Sequence, residues 1–243
     1  MCAMPDHAEP EPSFLAATRV SYDTVAEDYD ELARDELAGK PLDRALLALF
    51  AELVRARGGP VADVGCGTGR NTAHLRGLGL DVSGVDLSPG MLEVARRTHP
   101  ELRFTEGSMT DLDLPEASLG GIVAMYSTIH VPLELLPRVF AGFHRALAPG
   151  GQALVVFQEG EEPPLRLEGA FGHAVSLDFH RRPLERIAGL LEEAGLAVHT
   201  RVLREPEGPE TTRQAYLVAR RPVPGEPPAG VGHPARAVRQ AGP

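Results

Sequence analysis

The stretch Pro60–Asp86, PVADVGCGTGRNTAHLRGLGLDVSGVD, limits the fold more than any other part of the chain. A short apolar run (Val61, Ala62, Val64) enters a loop holding Gly65, Gly67 and Gly69, and a helical segment follows. A second run, Val82 and Val85, stops at Asp86. Strand, glycine loop, helix, strand and acid in this order make a mononucleotide-binding half. The glycines let backbone approach a ligand, and a carboxylate about 20 residues on accepts from ribose hydroxyls.

The spacing narrows the ligand. A dinucleotide fingerprint runs G-x-G-x-x-G, with the third glycine needed for close helix–strand packing. Here the order is Gly65-Cys66-Gly67-Thr68-Gly69-Arg70, so Arg70 stands where that glycine belongs. The string D-V-G-C-G-T-G closely resembles motif I of class I S-adenosylmethionine-dependent methyltransferases, with Asp63 as its opening acid and Asp86 as the acid of motif II. Leu147–Gly151, L-A-P-G-G, resembles another recurring family segment. The likeness spans roughly Ser21 to Arg220, strongest over residues 60–160, and the whole resembles the small-molecule methyltransferases of bacterial secondary metabolism.

The rest of the chain fits one α/β domain. Residues 1–13 and 221–243, polar or rich in Pro and Gly, read as disordered tails. Residues 14–58 read as two helices, the second opened by Pro41 with an apolar stripe through Leu46, Phe50 and Val54. After β1 and β2, Ser88-Pro89 supplies an N-cap and an N1 proline for the next helix. Further strands are expected at Leu102–Thr105, Gly121–Ser127 and Gln152–Gln158, with an amphipathic helix over Leu133–Leu147. Glu159–Arg182 breaks the rhythm and reads as an insert on the substrate side. A helix and two successive strands close the core. The expectation is a Rossmann-like, doubly wound, mostly parallel seven-stranded sheet spanning 59–220, with an antiparallel C-terminal edge hairpin and N-terminal lid helices over 14–58.

Composition excludes several partners. The net charge is −10 and the basic residues are scattered, with no run longer than a pair such as Arg181-Arg182, so a nucleic-acid substrate is not expected. No apolar run is long enough to span a membrane. The start lacks the basic and apolar regions of a signal peptide, and Cys2 and Cys66 form no disulfide framework, which points to the cytoplasm. Oligomeric state is not readable.

The resemblance implies S-adenosyl-L-methionine as cofactor, with a small molecule as acceptor. Gly65, Cys66 and Gly67 would line its methionine part, and Asp63 would meet its ammonium group or brace the loop. Asp86 would hold the ribose. Leu87 and Met91 would flank the adenine, Ser108 and Met109 would sit at its amino edge, and Met125 would border the same ligand. Tyr22 and Tyr29, seven apart on one helix face, would form part of a lid or pack the helix down. His130, in the loop after strand four, is the candidate general base, with packing as its alternative role. Tyr126, His173 and His180 are candidates for the acceptor side. No D/N-P-P-Y/F string follows strand four, and the carboxylate–Asn set of cation-dependent catechol methylation is missing, so no metal is expected. Oxygen methylation leads. A cyclase or pericyclase keeping the cofactor structurally, and a binding module without catalysis, are the alternatives.

Overall fold

The computed structural model describes residues 13–161 and 163–225. The expected tails lie outside them, except for Ser13, which opens α1, and residues 221–225. The elements are α1 (Ser13–Ala33), α2 (Pro41–Arg57), β1 (Val61–Val64), α3 (Arg70–Gly77), β2 (Val82–Asp86), α4 (Pro89–Thr98), β3 (Arg103–Glu106), β4 (Leu119–Met125), α5 (Leu136–Ala146), β5 (Leu147–Gln158), β6 (Leu165–Ala170), β7 (His173–Phe179), α6 (Leu184–Glu193), β8 (Ala197–Arg204) and β9 (Gln214–Arg220).

Seven strands form one sheet in the order β3-β2-β1-β4-β5-β9-β8. Its first five strands pair in parallel, and β9 pairs antiparallel with both β5 and β8, which is the expected Rossmann-like sheet with its edge hairpin. The strand order reverses at β1, between β2 and β4, and a crevice for ligand opens beyond the carboxyl ends of strands at such a point.

Alternation along the strands builds a core on each face. Ile122 and Ala124 of β4 join Val139, Phe140 and Phe143 of α5 and Ile187 and Leu191 of α6. Val123 and Met125, one residue out of step, join Leu47, Phe50 and Val54 of α2 on the other face. The apolar stripe of α2 thus packs α2 against the sheet. Of the 14–58 segment expected as a lid, α1 and the turn after it border the crevice, while α2 belongs to the core. Ser88 caps α4 as expected, its Oγ accepting from Met91 N at 3.0 Å.

The 159–182 segment holds a separate two-stranded hairpin, β6–β7. Its β7 lies against α1, where Ser176 N donates to Ser21 Oγ at 2.8 Å. Among the described residues no helix is long and apolar enough to cross a membrane.

Candidate active site

β1 ends in a loop that two carbonyl contacts pin to the neighbouring strand: Gly65 N and Cys66 N donate to Val85 O at 2.7 and 3.2 Å. Gly65 has φ +76°, and a Cβ there would lie 2.2 Å from Cβ of Ser127. Gly67 has φ +55° with nothing within 4 Å of the Cβ it lacks, so its backbone faces open space. Beside it, Asp86 Oδ2 accepts from Gly67 N at 2.7 Å and Oδ1 from Ser88 N at 2.9 Å. A carboxylate has about four lone-pair sites, so both oxygens keep capacity for a ligand. Burial pushes the Asp86 carboxyl up, while the amides of Ser88 and Gly67 hold it down.

This loop borders a cavity of about 740 Å3, within the ~300–1,000 Å3 usual for small-molecule sites. Gly65, Cys66, Gly67, Asp86, Leu87 and Met91 form one part of its wall, and Ser108, Met109, Met125 and Tyr126 continue it. Ser108 Oγ also caps the short turn after β3, accepting from Thr110 N at 3.2 Å. Tyr126, at the end of β4, has φ +53°, a left-handed conformation rare for a bulky residue. Lys40 Nζ lies 6.0 Å from the centre of its ring and reaches Glu210 at 2.8 Å and Glu36 at 3.1 Å.

The roof is α1. Tyr22 and Tyr29 both line the cavity and meet edge to face, with ring centroids 6.2 Å apart. The helix is fastened along its length. Asp23 Oδ1 accepts from Ser88 Oγ at 2.6 Å and Gly90 N at 2.8 Å, and Arg70 donates to Ala33 O at 3.0 Å and pairs with Glu36.

Tyr22 also makes the contact that joins roof to floor: its hydroxyl lies 2.8 Å from Nε2 of His130. Nδ1 of His130 lies 3.0 Å from the carbonyl oxygen of Asp178. A carbonyl only accepts, so Nδ1 carries the hydrogen, and Nε2 accepts from Tyr22. Burial lowers the His130 pKa to about 4 and raises that of the Tyr22 hydroxyl. Hydroxyl, imidazole and carbonyl thus form one chain at the cavity wall, with the imidazole neutral and its unprotonated nitrogen engaged by the Tyr22 hydroxyl.

Residues 61–151 of this chain match the methyltransferase-domain family. They contain the glycine loop, Asp86 and the strands on either side of the crevice. The chain carries a methyltransferase domain. The methyltransferase is 28% identical over 188 residues to a demethylmenaquinone methyltransferase of Chlorobaculum tepidum, covering 75% of this chain and 74% of the relative. It is 35% identical over 104 residues to a malonyl-[acyl-carrier protein] O-methyltransferase of Pectobacterium atrosepticum, covering 42% and 40%. Among solved structures it resembles the Burkholderia thailandensis 1,6-didemethyltoxoflavin N1-methyltransferase, crystallised with 1,6-didemethyltoxoflavin and S-adenosylhomocysteine. That likeness has 25% identity and a TM-score of 0.66, over 89% of this chain and 93% of the other.

Three of the sequence candidates stand off the cavity of the methyltransferase. Asp63 is 1% exposed and accepts from Thr72 Oγ1 at 2.6 Å, which leaves it bracing α3 beneath the loop. His173 reaches Asp28 of α1 at 3.1 Å, and His180 donates its backbone N–H to Ile129 O at 2.8 Å. The hairpin instead turns Leu167, Phe171, Leu177 and Phe179 to the cavity. The alternation Val175, Leu177, Phe179 carried a strand signal that the mixed charge of the segment obscures. Among the described residues no group of three or more His, Cys, Asp or Glu is placed to hold a metal ion.

His130 makes stability depend on pH. Its pKa falls from an ordinary 6.5 to about 4 in the fold, so between these values the unfolded chain binds the extra proton. Stability contributed above pH 6.5 is therefore lost as pH drops toward 4, about 3 kcal/mol in all. Asp63, raised to about 6 by burial, acts in the opposite sense, losing its contribution as pH climbs through 6. Comparing wild type with His130→Gln removes the Asp63 effect. Urea unfolding at stepped pH is expected to show the variant gaining on wild type by that amount from pH 7 to pH 4. Parallel profiles would refute the burial argument.

Proposed function

We propose that the methyltransferase moves the methyl group of S-adenosylmethionine to a hydroxyl oxygen of a small-molecule acceptor, with His130 as the general base. The hydrogen-bonded chain Tyr22–His130–Asp178 carbonyl carries this reading: it presents a neutral imidazole nitrogen, through one hydroxyl, at the wall of the cavity bordered by the glycine loop. The relatives' names cover a malonyl-[acyl-carrier protein] O-methyltransferase and an N1-methyltransferase, so the choice of oxygen rests on this chain's own residues.

The residues fit the cofactor. Backbone at Gly65 and Gly67 can approach the methionine part without a Cβ between, and Asp86 keeps lone pairs for the ribose hydroxyls. Leu87 and Met91 offer apolar surface to the adenine, Ser108 and Met109 border its amino edge, and Tyr29 with Tyr22 closes above. Asp63 serves the loop through Thr72. When bound, the cofactor would supply a sulfonium-activated methyl group open to in-line attack by the acceptor oxygen, with no metal required.

The protein's own work is alignment and proton removal. Holding the acceptor in line removes ~7–11 kcal/mol of barrier, and the roof of α1 keeps water out. The acceptor's proton passes to the Tyr22 hydroxyl oxygen as that hydroxyl gives its own proton to Nε2 of His130. The Asp178 carbonyl holds the ring in the tautomer that can take it. A base in this role contributes roughly 10²–10⁴-fold. A small-molecule acceptor, no nucleic-acid or membrane partner and a cytoplasmic location complete the reading, supported by the charge of −10 and two cysteines.

The test uses S-adenosylmethionine carrying a 13C-methyl group with pooled hydroxyl, amine and activated-carbon acceptors. The 13C shift of the product methyl tells which atom receives it. An oxygen-bound methyl, formed equally well with EDTA present, is expected. A nitrogen- or carbon-bound methyl, or activity lost to EDTA, would overturn the proposal.

A further inference from the structure

The β6–β7 hairpin turns through Phe171 and Gly172, with φ of +53° and +82°, between the paired residues Ala170 and His173. Two central residues with positive φ make a type I′ turn, whose first position favours Asn, Asp or Gly. Phenylalanine there is strained, since a side chain beyond Cβ crowds the left-handed backbone. It is also 45% exposed, so core packing does not account for it. Its ring borders the cavity at the tip of the hairpin. A strained, half-exposed aromatic at a ligand cavity points to a use made of it there.

The chemistry of the surrounding wall says what that use is. Between α1 and the hairpin the cavity is bounded by Phe14, Leu15, Leu167, Leu177 and Phe179. Each charged side chain that lines the cavity elsewhere has a partner within the protein. Arg19 pairs with Glu106, Lys40 with Glu36 and Glu210, Arg70 with Glu36, and Asp86 with backbone amides. Among the described residues the lining cations Arg19, Lys40 and Arg70 are matched in number by the lining carboxylates Glu36, Asp86 and Glu210, so the wall carries no net positive charge to draw an anionic acceptor. The proton-accepting end of this arm is His130, whose ring stacks edge to face on Phe179 at 4.7 Å.

We propose that the acceptor is an uncharged aromatic molecule bearing a hydroxyl, its ring seated between α1 and the β6–β7 hairpin and its hydroxyl at the Tyr22–His130 pair, with Phe171 as a specificity residue that closes over the ring. This deepens the oxygen-methylation reading and rests on it for the placement of the hydroxyl. The low proton affinity of His130 agrees, since a phenol is a far stronger acid than an alcohol.

Binding decides the matter independently of turnover. The chain has no tryptophan, so the emission of a naphthol probe can be followed directly in the full-length protein with S-adenosylhomocysteine present. 2-Naphthol is expected to bind at least about tenfold more tightly than 6-hydroxy-2-naphthoate, which adds a carboxylate to the same ring. Phe171→Asn is expected to weaken 2-naphthol about tenfold while raising the unfolding midpoint, because asparagine suits the turn. Phe171→Tyr is expected to restore binding. A purely structural Phe171 would move affinity and stability together or neither. Equal binding of the naphthoate, unchanged 2-naphthol affinity in Phe171→Asn, or no binding of 2-naphthol would overturn the proposal. Binding as expected with the labelled methyl found on nitrogen or carbon would sink the oxygen reading alone.

Discussion

Asp86→Ala is expected to weaken S-adenosylhomocysteine binding by about 10²–10⁴-fold while the protein stays folded. The size follows from two hydrogen bonds between ribose hydroxyls and a charged acceptor, each about 1.5–3 kcal/mol. The carboxylate also accepts from Gly67 N and Ser88 N, so its loss loosens the loop as well as the ribose contact. The two effects separate with a second ligand. Wild type is expected to discriminate strongly against the 2′,3′-dideoxy analogue of S-adenosylhomocysteine, and Asp86→Ala to bind both ligands alike. Calorimetry measures the affinities and urea unfolding the fold. An affinity within threefold of wild type would remove Asp86 from the cofactor site, and persisting discrimination would reduce it to a brace for the loop.

The second large effect belongs to the proton path. His130→Gln is expected to lower kcat by about 10²–10⁴ with cofactor affinity nearly unchanged. Tyr22→Phe cuts the bond to Nε2 but leaves the imidazole in place, so a smaller loss is expected. The pH profile distinguishes a chemical role from a packing one. Wild-type kcat is expected to fall as pH drops through about 4, where the imidazole gains a proton, and His130→Gln to lack that limb. Full turnover in His130→Gln would return this histidine to a packing role against Phe179 and Tyr22.

How far the site could be read in advance depended on sequence distance. The glycine loop, Asp86 and the Ser88 cap lie within one strand–helix–strand unit, where local periodicity and turn chemistry dictate structure. Their spacing alone places a nucleotide-type ligand at the end of β1. Tyr22 and His130 lie 108 residues apart, and no local pattern tells that a helix ahead of the sheet will set its hydroxyl on a loop after β4. The hairpin was obscured for another reason. Its strands are short, β6 is largely exposed and β7 only partly buried, so polar residues interrupt the alternation that marks a buried strand. His173 and His180 attract attention there by side-chain type, whereas the chain turns its aliphatic and aromatic neighbours inward. Asp63 shows the limit of motif reading: the acid is where the family pattern has it, but its bond to Thr72 beneath the loop depends on how α3 packs.

Arg70 occupies the position that a pyrophosphate-binding loop leaves bare. Here its side chain acts as a strut, rising from the first turn of α3 to the last carbonyl of α1 and to Glu36 beyond it. The ligand floor and the ceiling over it are therefore not independent parts. A substitution at this single position would slacken both at once, and the residue that disqualifies one class of nucleotide is the one that helps shut the chamber around another.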